Sequence, residues 1–472
     1  MSLKTTVARC ALLIGAFAPS IGDDRAGRPE ARPISGAYRA VWRWHFYAGI
    51  LVLPLLCLMA LTGGLYLFRD GIDAAVYRPI MRVEPTAGIA SPDRWAAAAE
   101  AGVGGRVASV RVPGRPDEAA RLRVDLPDGG RRTAFVDPHD AQLIGVTPFG
   151  GVMETVKQLH SLALAGTWAN YLVEIVAGWA VILVATGVFL WWPRRREGGV
   201  VSIQATDAAR RPFWRDLHAV TGLYAGAVIA FLAITGMPWS AFWGEQYANV
   251  VRESGAGRPT PPPAASPWVH AAHKDQPAGV GWTMEGMAMP SRHQSAWTAR
   301  LSTVVDRADA EGLARPYVVS IPSDPALAFT AAHENRRVED ARALYIDGAT
   351  GQVKADIRYS QFGVGAKAFE WGIAVHQGTQ YGRLNQILML GGCIAVWLLA
   401  ISGVVMWWKR RPANLAKGRL GAPQAPPGPR VRAAVLGIVL PLAILYPLTG
   451  LSLLAALAGE RVVLAVRRRL AA

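Results

Sequence analysis

Residues 44–63 read WHFYAGILVLPLLCLMALTG, and residues 217–236 read LHAVTGLYAGAVIAFLAITG. Aligned, they match His45 with His218, Gly49 with Gly222, and Thr62-Gly63 with Thr235-Gly236. Each is a largely apolar run of the length that crosses a bilayer as a helix, about 20 residues. A second pair of segments repeats in step. His160 precedes Gly166, Gly187 and Trp191-Trp192, and His376 precedes Gly382, Gly403 and Trp407-Trp408 at the same offsets. Matched offsets in two segment pairs mean a duplicated plan. Copies in the same orientation imply a pseudo-twofold axis along the membrane normal.

Composition points the same way. Of 472 residues, 51% are hydrophobic and only 18% charged, and the mean hydropathy is +0.21. A net charge of +16 first suggests a nucleic-acid binder. The basic residues, however, cluster beside apolar runs, where they act as topology signals, so no nucleic-acid partner is expected. Three cysteines exclude a secreted disulfide scaffold, and the apolar content excludes disorder for most of the chain.

Five spans are expected, at 41–68, 169–192, 218–243, 384–408 and 433–457. Lysine and arginine crowd residues 1–40 and the connections 193–217 and 409–432, which places these on the cytoplasmic side. The tail 458–472 breaks the pattern, since Arg467, Arg468 and Arg469 would then lie outside. Val7–Ala18 resembles the core of a signal peptide. Cleavage there would invert the charge pattern, so 1–40 is read as a disordered cytoplasmic lead.

The outer segments also repeat. In 69–150, Ser91-Pro92 opens a helix ending near Gly102, followed by strands at Arg121–Leu126, Arg131–Asp137 and Gln142–Val146 around an Asp128-Gly129 turn. In 244–365, after a proline-rich linker at Gly255–Pro267, a helix near Thr298–Glu311 leads to strands at Tyr317–Ile321, Ala341–Asp347 and Gln352–Ile357. The expected fold is a membrane α-helical bundle with two α+β outer domains. Four core spans form two parallel repeats, joined by a fifth. The segments 151–168 and 366–383 carry His160 and His376 and are expected outside or re-entrant.

Four of the nine histidines thus sit at repeated span ends. The twofold brings His45 to His218 near the cytoplasmic face, and His160 to His376 near the outer face. Imidazole ligates metals and haem iron, and two bis-histidine sites suit two b-type haems. Gly49 and Gly222, one turn from their histidines, leave room for a flat macrocycle. The competing readings are interfacial histidines solvated by headgroups, and zinc, which wants three or four ligands. Arg39, Arg43 and Arg215 suit haem propionates or simple topology charges, Tyr381 and Arg383 an anionic chelate or propionates, and Glu174 a proton or propionate partner or an interfacial carboxylate. His270, His273, Met284, Met287, Met289 and His293 resemble a Cu(I) patch, or a strand with Met in place of Leu. No nucleotide-binding glycine loop follows a strand, so electrons come from an unidentified external donor.

A helix running straight from His160 to Trp192 would be about 48 Å long, more than the about 40–45 Å of a whole bilayer. The helices are therefore expected to break after each histidine, at Gly166-Thr167 and at Gly378-Thr379 with Gly382. His160 would then dip toward the membrane.

Trp44-His45-Phe46-Tyr47-Ala48-Gly49, Trp214-Arg215-Asp216-Leu217-His218, Leu159-His160-Ser161, Gly187-Val188-Phe189-Leu190-Trp191-Trp192 and the Asp-led turns at Asp137 and Asp347 resemble the PepSY-associated transmembrane helix family, the iron-regulated membrane proteins of bacteria. The resemblance covers residues 38–460. Members similar in plan are inner-membrane ferric-siderophore reductases with two haems. It implies PepSY-like periplasmic domains, haem ligation by the four histidines, and reductive release of iron from a ferric siderophore or other ferric chelate. Two other functions compete. One is a siderophore or metal transporter, opposed by the parallel repeats and few polar groups in the spans. The other is a membrane-anchored PepSY sensor or binding module, which needs no paired histidines.

Overall fold

The computed structural model describes residues 36–192, 200–258, 300–323, 327–410, 437, 440–441 and 443–471. Along the chain, α1 (Gly36–Tyr66) leads through α2 (Arg69–Val76) to α3 (Pro92–Val103) and the strands β1 (Arg106–Val112), β2 (Ala120–Asp125), β3 (Arg131–Val136) and β4 (Leu143–Pro148). Then come α4 (Gly151–His160), α5 (Thr167–Trp191), α6 (Arg211–Gly236) and α7 (Ala241–Glu253). The second half runs through α8 (Leu301–Ala310), β5 (Tyr317–Ser320), β6 (Phe329–His333), β7 (Arg342–Ile346), β8 (Val353–Arg358), α9 (Val364–His376) and α10 (Gly382–Arg410), and α11 (Pro447–Ala471) follows.

Among the described residues, four helices are long and apolar enough to cross a membrane: α1, α5, α6 with its 3-10 extension to Trp239, and α10. The protein is a multi-pass membrane protein with an α+β region. The third helix starts at Arg211, with Pro212 in its first turn, and stops at Gly236, where the sequence suggests a span over 218–243. Pro238 ends it, because proline lacks the N–H that a continuing helix needs. A short turn and α7 occupy the remainder.

The fifth span, expected at 433–457, is not one straight helix in the described part. The chain bends at Tyr446, and α11 starts at Pro447. A proline ring clashes with the carbonyl four residues back, here that of Ala443. The bend folds the two sides together so closely that a Cβ on Gly450 would lie 2.9 Å from the Ala443 Cβ. Among the described residues, Pro447–Ala456 of this helix is a short apolar stretch, below the length of the four candidate spans.

The α+β region departs from expectation in one respect. The sequence suggests two outer domains, whereas the eight strands among the described residues form one antiparallel sheet in the order β4-β3-β2-β1-β5-β6-β7-β8. The halves meet at β1 and β5, where Val110 faces Val319 and Val112 faces Tyr317. Antiparallel pairing of equivalent strands is what a twofold axis through a sheet produces. One core covers both halves. Trp95 and Ala99 of α3, and Val304, Val305 and Ala308 of α8, pack on Val110, Leu122, Val319 and Leu344. Asp93 of α3 accepts the Leu301 N–H at 2.7 Å and so caps α8 of the other half.

Two strands escaped the sequence reading. β1 carries a bulge between Val107 and Ser109 that breaks the two-residue alternation. β6 is a five-residue, alanine-rich strand with little β signal of its own. The Asp-led turns form in both halves. Asp137 accepts the His139 N–H at 2.8 Å, and Asp347 accepts the Ala349 N–H at 3.0 Å.

Candidate functional site

Both sheet halves deliver a helix whose last residue is a histidine: α4 ends on His160 and α9 on His376. Each helix then breaks. Leu162 and Gly166 take positive φ of 55° and 95° before α5, and Gly378 and Gly382 take 73° and 62° before α10. Gly166, Gly378 and Gly382 are the glycines the length argument singled out, and Leu162 adds a turn it did not foresee. A helix end leaves carbonyls without partners, and asparagines of the following helix take two of them. Asn170 donates to the Ser161 carbonyl at 3.2 Å, and Asn385 to the Val375 carbonyl at 2.9 Å.

The breaks lay the histidines against the bundle. His160 and His376 meet with ring centroids 6.4 Å apart and planes at 84°. His45 of α1 and His218 of α6 meet at 6.3 Å and 82°. The structure thus brings together the two pairs that the repeat suggests. The first lies at the sheet side of the bundle. The second lies toward its other end, 17 residues earlier along α1 and α6 than Thr62 and Thr235, which touch the first.

The spacing tests what the pairs can hold. An imidazole nitrogen lies about 2.0–2.1 Å from a metal it ligates and about 1.1 Å from its ring centroid, so a linear nitrogen–metal–nitrogen bridge sets centroids about 6.2–6.4 Å apart. Both pairs have that separation. Among the described residues, no group of three or more His, Cys, Asp or Glu converges on a metal-sized site. Two imidazoles are too few for structural or catalytic zinc and suffice as axial ligands of a haem. A Cβ added at Gly49 would meet nothing within 4 Å, so open space lies one turn from His45. The donor set of each pair fits a b-type haem, and the space by Gly49 suits its flat ring at the His45–His218 pair, whereas a Cβ at Gly222, where room was also expected, would rest 3.7 Å from Leu399 Cδ2.

Sequence reasoning missed the role of four hydroxyls, two of which, Thr62 and Thr235, enter it only as markers of the repeat. Thr186 lies 2.8 Å from His45 Nδ1, Ser402 3.0 Å from His218 Nδ1, Thr62 3.0 Å from His160 Nδ1 and Thr235 2.9 Å from His376 Nδ1. Each is followed by a glycine that faces the same ring. Cβ atoms built on Gly63, Gly187, Gly236 and Gly403 would stand 3.2, 3.5, 3.6 and 3.7 Å from the Cε1 of His160, His45, His376 and His218. The signal was present in the sequence as four dipeptides, Thr62-Gly63, Thr186-Gly187, Thr235-Gly236 and Ser402-Gly403. A glycine inside a helix weakens it, and here each one leaves room for an imidazole.

The remaining candidates are placed as follows. Arg43 lies over the Tyr47 ring, 4.9 Å from its centroid. Arg215 pairs with buried Asp216 at 2.6 Å. Tyr381 accepts the Trp371 Nε1–H at 2.9 Å, and Arg383 is exposed in the first turn of α10. Arg39 is exposed near the start of α1. Glu174 is buried and accepts the Trp243 N–H at 3.0 Å, while Asn170 accepts that of Ala241, so α5 caps α7 with two side chains. The His and Met residues of 268–293 lie outside the described residues.

A family model described as the PepSY-associated TM region matches residues 42–410. No curated protein matches the chain.

Proposed function

The chain belongs to the PepSY-associated TM family, and from that premise we propose that it is a di-haem electron carrier that reduces a ferric siderophore or other ferric chelate. The observation that carries this reading is the pair of His–His contacts, each at the separation of a bis-imidazole metal bridge, set at two levels along α1 and α6. A b-type haem held by two imidazoles supplies a one-electron carrier.

The chain's residues act as a scaffold for that carrier. His45 and His218 would hold the cytoplasmic-side group, and His160 and His376 would hold the group beneath the sheet. The apolar helices exclude water between them. The balance is one electron per ferric ion: a donor on the cytoplasmic side loses it, and the chelated Fe(III) gains it and leaves as Fe(II), which oxygen-rich chelators hold less tightly. The sheet, the only large region on the histidine-break side among the described residues, is where a chelate docks, with Tyr381 and Arg383 at the membrane edge. In this reading the sheet comprises two PepSY-like halves in the periplasm, and the bundle lies in the bacterial inner membrane.

The test is a haem count per chain on purified protein, with optical spectra. Two low-spin b-type haems are expected. His45→Ala or His218→Ala should remove one, and His160→Ala or His376→Ala the other. A colourless protein, or four variants that all keep two haems, refutes the reading and leaves a transporter or a binding module.

A further inference from the structure

Each of the four hydroxyls beside a histidine also contacts the carbonyl one turn back in its own helix. Thr62 reaches the Leu58 carbonyl at 2.7 Å, Thr186 that of Ile182 at 2.7 Å, Thr235 that of Phe231 at 2.7 Å and Ser402 that of Leu398 at 2.6 Å. A hydroxyl has one proton and two lone pairs, and a carbonyl can only accept. Four short contacts of this kind commit each proton to the helix backbone. The hydroxyl oxygen then accepts from the histidine, so Nδ1 carries the ring proton and Nε2 keeps its lone pair. This assignment holds at all four positions, although the histidines come from four different helices.

We propose that Thr62, Thr186, Thr235 and Ser402 are positioning residues that fix both the tautomer and the ring plane of the four histidines, so that each pair presents two Nε2 ligands with near-perpendicular planes. The inference rests on the haem reading above. A bond from Nδ1–H to oxygen has two consequences. It stops the ring from rotating about its Cβ–Cγ bond, which preserves the angles of 82° and 84°. It also makes the imidazole a stronger donor to a bound metal, as outer-shell partners of ligating histidines generally do. Stronger donation favours ferric over ferrous iron. The adjacent glycines complete the device by letting the ring approach the hydroxyl side-on.

The test uses the full chain in detergent. Thr62→Val and Thr235→Val remove the hydroxyl with little change in shape, and Thr62→Ser and Thr235→Ser keep it. Ferric EPR and a redox titration read the result. Near-perpendicular imidazole planes give a highly anisotropic low-spin signal, and planes turned toward parallel give a more rhombic one. The valine variants should shift the signal of one haem toward the rhombic form. They should also raise its ferrous-to-ferric ratio at fixed potential by about tenfold, which is 59 mV for a one-electron couple. The serine variants should restore both. Loss of one haem in Thr62→Val with recovery in Thr62→Ser also supports the role. A protein with two haems whose valine variants keep the wild-type signal and potential overturns this inference alone. A wild-type protein without haem overturns the reading beneath it as well.

Discussion

The glycines against the imidazoles make a prediction in which two symmetry-related positions behave differently. Gly63 and Gly236 occupy equivalent places in the repeat, each facing the Cε1 of a sheet-side histidine. The distances differ. A Cβ at position 63 would lie 3.2 Å from His160 Cε1, 3.6 Å from its Nδ1 and 3.9 Å from Cys393 Sγ, whereas one at position 236 would lie 3.6 Å from His376 Cε1. Carbon atoms rest about 3.5–4.0 Å apart. Gly236→Ala therefore asks almost nothing of its ring. Gly63→Ala asks His160 to retreat by about 0.3–0.8 Å, while a metal–ligand distance tolerates about 0.2 Å. Thr62, on the same turn, holds the ring at 3.0 Å and opposes the retreat. Alanine favours a helix over glycine by about 1 kcal/mol, so both variants are expected to fold. Haem per chain and ferric EPR provide the assay. Under the di-haem proposal, Gly236→Ala should retain two haems with wild-type signals, and Gly63→Ala should alter or lose the sheet-side one. If the two variants are indistinguishable, the claim that ring approach is set by these glycines is wrong.

Three further outcomes follow from the α+β region. Asp93→Ala removes the cap that one half of the sheet provides to α8 of the other, and should lower stability by about 1 kcal/mol in thermal or denaturant unfolding; an unchanged midpoint counts against coupling of the halves through Asp93. Ala141 and Gly351 occupy equivalent turn positions with φ of 68° and 70°. A left-handed L-residue costs about 1–2 kcal/mol, so Gly351→Ala should destabilise, the more so because Thr303 Cγ2 would be 3.1 Å away, and Ala141→Gly should not; the reverse order refutes the reading. His139 points Nδ1 at the Gly88 carbonyl (2.7 Å) and Nε2 at the Pro116 carbonyl (3.0 Å), and these two bonds raise its pKa above 6.5. Its contribution is therefore fully present below pH 6.5 and is lost as pH rises through the raised folded value; a histidine NMR titration at or below 6.5 contradicts it.

The parts of the fold set by strong local patterns were legible in the sequence. Twenty apolar residues leave few options in a chain that must satisfy its own backbone, and α1, α5, α6 and α10 are such runs. The repeat offsets carried more, because they paired histidines 173 and 216 residues apart in sequence without any contact being known: 218 − 45 and 376 − 160. What stayed hidden depends on tertiary contacts. Nothing in Arg106–Val112 or Tyr317–Ser320 says that these strands pair across the two halves, since either could have been an edge. Thr186 and Ser402 read as ordinary polar residues in apolar helices. Only the chain packing shows that their oxygens meet a histidine, although the glycine after each was in view.

The helix breaks show how far a length argument reaches. A straight helix from either sheet-side histidine to its tryptophan pair would be about 48 Å long and would carry the histidine out of the bundle. The observed α5 has 25 residues, about 38 Å, and α10 has 29, about 44 Å. The histidines ride on the separate helices α4 and α9, which end where the spans begin. Because α4 ends on His160 and α9 on His376, the reversal and the placement of the ring are one structural event. The rings come to rest on Thr62 and Thr235, 17 residues from His45 and His218 on the same two helices. α1 and α6 each run past both sites, whose contact residues lie about 26 Å apart along the helix axis, and α1 carries Pro54 between them. The separation of the two sites cannot drift without bending α1 and α6 together. Rocking one repeat against the other would leave that spacing intact and would instead part His45 from His218 and His160 from His376, the contacts on which a relay between fixed carriers depends.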